Sequence, residues 1–182
     1  MPKITIYIAL LRGINVGGHK LIKMQELKDV LTNMGLDKVK TYIQSGNVIF
    51  HSERNAEQLE EQMEQEIRSA FGFSVIIILR TASEWEQIIN NCPYPVNSLS
   101  EGESVHISLL AEEPSKECIN HLLEYKSEME QCCIRGREIY LYLQQSIRHS
   151  KISAQLQKVG VPGTSRNWKT INKLGTMLNE IQ

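Results

Sequence analysis

The order of apolar runs predicts an α+β fold. It consists of two ferredoxin-like (split βαβ) halves with antiparallel or mixed sheets, followed by a C-terminal helix. Three observations predict it. Short β-rich runs alternate with stretches whose apolar residues recur every three or four positions. Their order is β-α-β-β-α-β over the first 80 residues and β-α-β-β-α over 105–160. Between them lies "CPYPVNSLSEGES" (92–104), rich in Pro, Ser, Asn and Gly, which reads as a linker. The expected organisation is 1–91 as the first half with a connecting helix, 92–104 as the linker and 105–182 as the second half with the final helix.

Each element has its own signal. "KITIYIALL" (3–11) places Ile4, Ile6, Ile8 and Leu10 on one face of a strand. Met24, Leu27, Val30, Leu31 and Met34 mark a helix that stops at Gly35. "VKTYIQ" and "NVIFHS" read as a hairpin closed by a two-residue Ser45-Gly46 turn. Ala56, Leu59, Met63, Ile67 and Ala70 share one helical face, with glutamates opposite. "FSVIIILR" (73–80) is a buried-type strand, and 81–91 a helix in which Thr81 with Glu84 fits a capping box.

In the second half, "VHISLLA" (105–111) is a strand, and Pro114 opens a helix carrying Cys118, Ile119, Leu122 and Leu123. "EQCCIRG" and "REIYLYLQ" form a hairpin about Gly136, and "KISAQLQKV" is a short helix ending at Gly160. No last strand is evident. A final helix is expected from Arg166 to Ile181, with Ser165 as its N-cap and Trp168 as a core anchor.

The chain of 182 residues is long enough to bury a real core, and 41% apolar with 23% charged residues is ordinary for a globular protein. No apolar run approaches the roughly 18 residues of a membrane span, and the start does not read as a signal peptide. The expectation is a cytoplasmic protein without a membrane partner, its oligomeric state open. Cys92, Cys118, Cys132 and Cys133 show no Cys-x-x-Cys spacing, and the histidines form no ligand pair. The cysteines read as idle or buried thiols. No metal and no cofactor is expected.

The net charge of −1 conceals a segregation. Residues 1–52 hold seven Lys/Arg against three Asp/Glu, residues 53–130 five against sixteen, and residues 131–182 eight against two. Two basic ends flank an acidic middle, and together they would make a positive surface.

The stretch "ALLRGINVGGHKLIKM" (9–24) sets a glycine-rich, basic turn between a strand and a helix. It is not a Walker A loop. Gly13 and Gly18 have the right spacing, but Lys20 comes one place late and no hydroxyl follows it. The Rossmann pattern also fails. What remains is a turn whose N–H groups lead into a helix start, with Asn15, Arg12, Lys20 and Lys23 around it. Lys23 is expected in the first helical turn, where a cation opposes the dipole. Arg166, Lys169 and Lys173 repeat that pattern in "GTSRNWKT" (163–170) and beyond. Two unusually basic helix starts suggest an anion. Gln44, Ser45 and Asn47 at the hairpin would orient it if the hairpin and the glycine turn share one end of the sheet.

A nucleic-acid reading rests on "IYIALL" and "GNVIFHS", which are similar to strand motifs of RNA recognition motifs and would offer Tyr7 and Phe50 for base stacking. No Gly-x-Ser-x-Gly elbow is present, and His51, His106, His121 and His149 lack partners at motif spacing.

"ALLRGINVGG" (9–18), "TYIQSGNVIF" (41–50) and "RNWKTINKL" (166–174), in this order and spacing, resemble the bacterial family known as domain of unknown function 1697. The family often has Lys where this chain has His19, and Pro where it has Lys23. The resemblance implies two ferredoxin-like halves, and for function almost nothing, since the family has no established activity, substrate or cofactor to carry over. It selects Arg12, Gly13, Asn15, Gly17, Gly18, Gln44, Ser45, Asn47, Arg166, Asn167 and Lys173.

These residues, with Lys20, form the expected anion site. The first functional expectation is a binding module for a phosphorylated small molecule or a nucleic-acid backbone. An enzyme acting on a small phosphate- or carboxylate-bearing substrate, and a protein–protein interaction or dimerisation module, are the alternatives.

Overall fold

A computed structural model describes residues 2–182. Among these residues, eight strands and six α-helices follow in the order β1 (Thr5–Leu11), α1 (Met24–Asn33), β2 (Asp37–Tyr42), β3 (Asn47–Ser52), α2 (Ala56–Phe71), β4 (Ile77–Thr81), α3 (Ala82–Asn90), β5 (Ser104–Leu110), α4 (Lys116–Leu123), β6 (Glu130–Arg135), β7 (Glu138–Leu143), α5 (Lys151–Leu156), β8 (Gly163–Asn167) and α6 (Trp168–Ile181). They build two four-stranded antiparallel sheets, ordered β2-β3-β1-β4 and β6-β7-β5-β8. The α+β class and its two similar halves are as the sequence predicts. The chain divides into two compact units, Met1–Gln87 with Leu174–Gln182, and Ile88–Lys173.

In the first unit α1 and α2 cover one face of the sheet. Leu27 and Leu31 from α1, and Leu59, Met63 and Ile67 from α2, pack on Tyr7, Ala9, Leu11, Val48 and Phe50. The helix-facing side of β1 is therefore the Tyr7 side. Ile8 and Leu10, on the opposite face, are buried as well, while Ile4 precedes the strand and is exposed. A strand buried on both faces reads as a continuous apolar run, and this defeats the alternation seen in the sequence. The helix ends follow local rules. Asn55 caps α2 by accepting from the Gln58 N–H at 2.9 Å, and Gly72 ends it at φ 81°.

In the second unit Leu122 of α4 and Ile152 of α5 pack on Leu110, Ile139, Leu141 and Cys132. The β6–β7 hairpin turns at Gly136-Arg137, with Ile134 opposite Ile139. This half has its last strand. β8 pairs with β5, and Gly163 permits it, since a Cβ there would stand 2.6 Å from Leu110 Cδ2 and 2.8 Å from the Leu109 carbonyl. The final helix consequently starts at Trp168, and Asn167, not Ser165, caps it by accepting from the Thr170 N–H at 2.9 Å.

The duplication extends to single residues. Ile8 of β1 stands opposite Arg80 of β4, and Ile107 of β5 opposite Arg166 of β8. Both arginines are buried, and each is followed by the residue that caps the next helix. Thr81 accepts from the Glu84 N–H at 3.1 Å while Glu84 accepts from the Thr81 N–H at 2.8 Å, closing the expected capping box.

Candidate functional site

The topology of the first unit gathers three loops at one end of its sheet. β1 leaves through residues 12–23, β2 and β3 are joined by 43–46, and β4 is entered through 72–76. Because β3 and β4 both run antiparallel to β1, these loops meet. The Leu11 N–H donates to the Gly46 carbonyl and the Arg12 N–H to the Ile76 carbonyl, both at 2.9 Å. The hairpin and the glycine turn thus share one end.

The glycine turn is a hairpin in miniature. The His19 N–H donates to the Val16 carbonyl at 3.0 Å, and the Asn15 N–H to the Lys20 carbonyl at 3.1 Å. Between them Gly17 and Gly18 hold φ values of 60° and 76°. Two consecutive positive φ values are what a tight type I′ turn requires, and glycine reaches them without strain. Turn geometry therefore explains the glycine pair, and the segment His19–Lys23 separates it from α1. Lys23 is the residue flanking α1 on its N-terminal side, with no side-chain cap bond, and does not lie in the first turn.

Asn15 organises the whole loop. Its carboxamide donates to the carbonyls of Ile22 at 3.0 Å and Gln44 at 2.7 Å, and accepts from the Ile22 N–H at 2.8 Å. Asn47 does the same for the neighbouring loop. Fully buried, it donates to the Tyr42 carbonyl at 2.8 Å and to Ser45 Oγ at 2.9 Å. That loop has four residues, not two, since β2 ends at Tyr42. Gly46 closes it where no Cβ fits. One would lie 2.7 Å from Ile14 Cδ1 and 2.8 Å from Leu11 Cβ. Ile43, a β-branched residue, is held at φ 47° and is exposed. Such a residue at positive φ is strained and persists only where its surroundings impose it.

The cations fall into different roles. Lys20 Nζ donates to the Ser74 carbonyl at 2.9 Å, and Arg68 Nε to Ser74 Oγ at 3.1 Å, so both tie the β4 entry. Arg12 is partly buried. Among the described residues its guanidinium makes no hydrogen bond or ion pair, and the N–H groups of exposed Gly13, Gly17 and Gly18 meet no acceptor. Loops 12–23, 43–46 and 72–76 contain no Asp or Glu. At their edge the Glu64 carboxylate accepts from the Ile77 N–H at 3.4 Å.

Arg12, Gly13, Asn15, Gly17, Gly18, Lys20, Gln44, Ser45 and Asn47 thus share one sheet end, whereas Arg166, Asn167 and Lys173 belong to the second unit. Arg166 is not a first helical residue. It lies in β8, buried, donating to Thr164 Oγ1 at 2.8 Å and to the Ser165 carbonyl at 2.9 Å. Burial lowers its pKa to about 10, so it remains a cation at neutral pH. Tyr7 and Phe50 do not offer faces for base stacking. They stack on each other at 5.6 Å in the helix-side core, and Tyr7 Oη donates to the Arg54 carbonyl at 2.9 Å. Among the described residues no three His, Cys, Asp or Glu side chains are placed to hold a metal, and no helix is long and apolar enough to cross a membrane.

The sequence reading missed one feature of this end. Val16, Leu21, Ile43 and Ile76 are exposed by 65%, 66%, 48% and 39%. In sequence they are scattered apolar residues, and only the shared sheet end makes them neighbours.

Fold and site together define a two-unit α+β protein with split βαβ halves and a basic, apolar loop cluster at one sheet end. The chain belongs to the family of proteins of unknown function DUF1697, whose model matches residues 4–140. It is similar over its whole length to a conserved bacterial protein, SP0830 from Streptococcus pneumoniae. The two are 30% identical with a TM-score of 0.77, over 97% of this chain and 99% of that one. An unknown protein from Galdieria sulphuraria aligns with 12% identity and a TM-score of 0.29, over 91% and 99% of the two chains. No curated protein matches. The blocks 9–18 and 41–50 that carry the family resemblance are the segments that meet at the Arg12 end.

Proposed function

We propose that the protein binds a phosphate-bearing anion, a nucleotide or a nucleic-acid backbone, at the Arg12 end of its first unit. The observation that carries this reading is Arg12 itself. Among the described residues its guanidinium has no internal partner, and a bidentate anion would supply one. The unpaired N–H groups of Gly13, Gly17 and Gly18 supply further donors. Lys23 adds positive charge and the His19 ring a donor, and no carboxylate in the three loops opposes them. Binding is favoured over hydrolysis because the loop hydroxyls Ser45 and Ser74 accept hydrogen bonds from Asn47 and Arg68 and are held as parts of the loop scaffold. With Tyr7 and Phe50 in the core, the ligand is gripped through phosphate and not through stacked bases.

A thermal-shift screen of the full chain and its Arg12→Ala variant tests this. The ligands are nucleotides, sugar phosphates, pyrophosphate, polyphosphate and short oligonucleotides. A ligand of the native state at 100 times its Kd adds about 2.7 kcal/mol. The reading requires a shift that Arg12→Ala abolishes. Stabilisation by none of these compounds would overturn it.

A further inference from the structure

We propose that the phosphate recognised at the Arg12 end belongs to anionic phospholipid headgroups, and that Val16, Leu21, Ile43 and Ile76 dock into the lipid surface around it. The proposal rests on the phosphate-binding reading above and takes a lipid headgroup, in place of a nucleotide or a nucleic acid, as the source of the phosphate.

Among the described residues seven large apolar side chains are exposed, and four of them lie on the three loops of this one end. A soluble phosphate compound would engage Arg12 and the glycine N–H groups and leave these four side chains in water. A lipid surface takes both, phosphates by the cations and aliphatic side chains by the acyl boundary. The side chains are all aliphatic and come from three loops, Val16 and Leu21 from the first, Ile43 from the second and Ile76 from the third. Such a set suits a surface better than a groove, and protein hot spots are built chiefly from Trp, Tyr and Arg. The β4 edge beside Ile76 is not offered for an added peptide strand, because Ile77, Ile78, Leu79 and Arg80 are all buried. A second copy of the same end is disfavoured by like charge, since Arg12, Lys20 and Lys23 would face one another. Among the described residues no helix spans a membrane, so the contact is peripheral.

The loops are also built to hold this display. Asn15 and Asn47 fix both loops through five side-chain hydrogen bonds, and Ile43 is kept exposed in a strained conformation. Strain maintained by surrounding bonds, at a residue that is about half exposed, is expected where the display itself is used.

The test is co-sedimentation of the full chain with phosphatidylcholine vesicles, with and without phosphatidylglycerol, beside a pyrophosphate titration. The proposal expects sedimentation only with the anionic vesicles. Val16→Ser and Leu21→Ser should each lower the bound fraction severalfold while leaving pyrophosphate affinity and the melting temperature unchanged. Leu123→Ser, an exposed apolar residue of the second unit, should change nothing. Pyrophosphate binding without sedimentation overturns the lipid source and leaves the phosphate reading standing. Sedimentation indifferent to Val16→Ser and Leu21→Ser overturns the docking surface. Binding to neither overturns both.

Discussion

The Asn15 carboxamide donates to the Gln44 carbonyl at 2.7 Å, joining the β1–α1 loop to the β2–β3 loop. The same side chain exchanges two bonds with Ile22. One residue therefore sets the shape of the glycine hairpin and its distance from its neighbour. Asn15→Ala leaves the Ile22 N–H and the Gln44 carbonyl without these partners. The expected loss is about 1–2 kcal/mol in denaturant unfolding, moderated because water reaches part of the site. Phosphate binding should weaken too, since Arg12 and the glycine N–H groups lose their fixed geometry.

Two glycines of this end should respond differently to alanine. Gly18 has φ 76°, and a Cβ there would meet nothing within 4 Å. Gly18→Ala should therefore cost about 1–2 kcal/mol for the left-handed conformation alone. Gly46 has φ 88° and would set its Cβ against Ile14 and Leu11. Gly46→Ala should cost about 3 kcal/mol or more, because the overpacking adds to the conformational cost. Urea midpoints of the two variants check the order.

Ile43 offers a test of strain. Asn tolerates a positive φ far better than a β-branched residue does. Ile43→Asn should raise stability by about 1 kcal/mol while lowering vesicle binding. A gain in stability at the expense of function is the expected signature of a strained displayed residue. Melting temperature and co-sedimentation on the same variant read both sides.

The acid dependence follows from two histidines. Burial lowers the pKa of His51, with Lys38 adding to the effect and Asp37 opposing it, and burial lowers that of His106. A group whose folded pKa lies below its unfolded value contributes stability that is full above the unfolded pKa, about 6.5 for His, and is lost as pH falls through the folded value. Stability from these groups should be flat above about pH 7 and fall on acidification below about 6.5. His106→Gln should flatten part of that fall in denaturant midpoints measured across this range.

The repeated order of elements was legible because nearly every strand and helix carries its own periodic signal. β8 was not. "GTSRN" buries Thr164 and Arg166, polar residues that mimic a loop, and only Gly163 hints at a close strand. Missing that strand moved the start of α6 two residues early and turned Arg166 from a buried strand residue into a helix-start cation. The Ser45-Gly46 pair looked like a two-residue turn because nothing in the sequence signals that Ile43 adopts a positive φ. The glycine pair was recognised, but its hairpin depends on Asn15 bonding to residues far along the chain. Alternation in β1 marks a strand but not the side its helices cover, since both faces are buried. The apolar half of the candidate site was invisible for a simpler reason. Val16, Leu21, Ile43 and Ile76 share no period, and only the antiparallel order of β1, β3 and β4 brings them together.

The most direct test of the central claim is a titration of ¹⁵N-labelled protein with pyrophosphate, followed by amide spectra. Anion binding at the Arg12 end gives saturable shifts concentrated on the amides of Gly13, Gly17, Gly18 and His19, lost in Arg12→Ala. Absence of shifts, or shifts confined to the second unit, would contradict it.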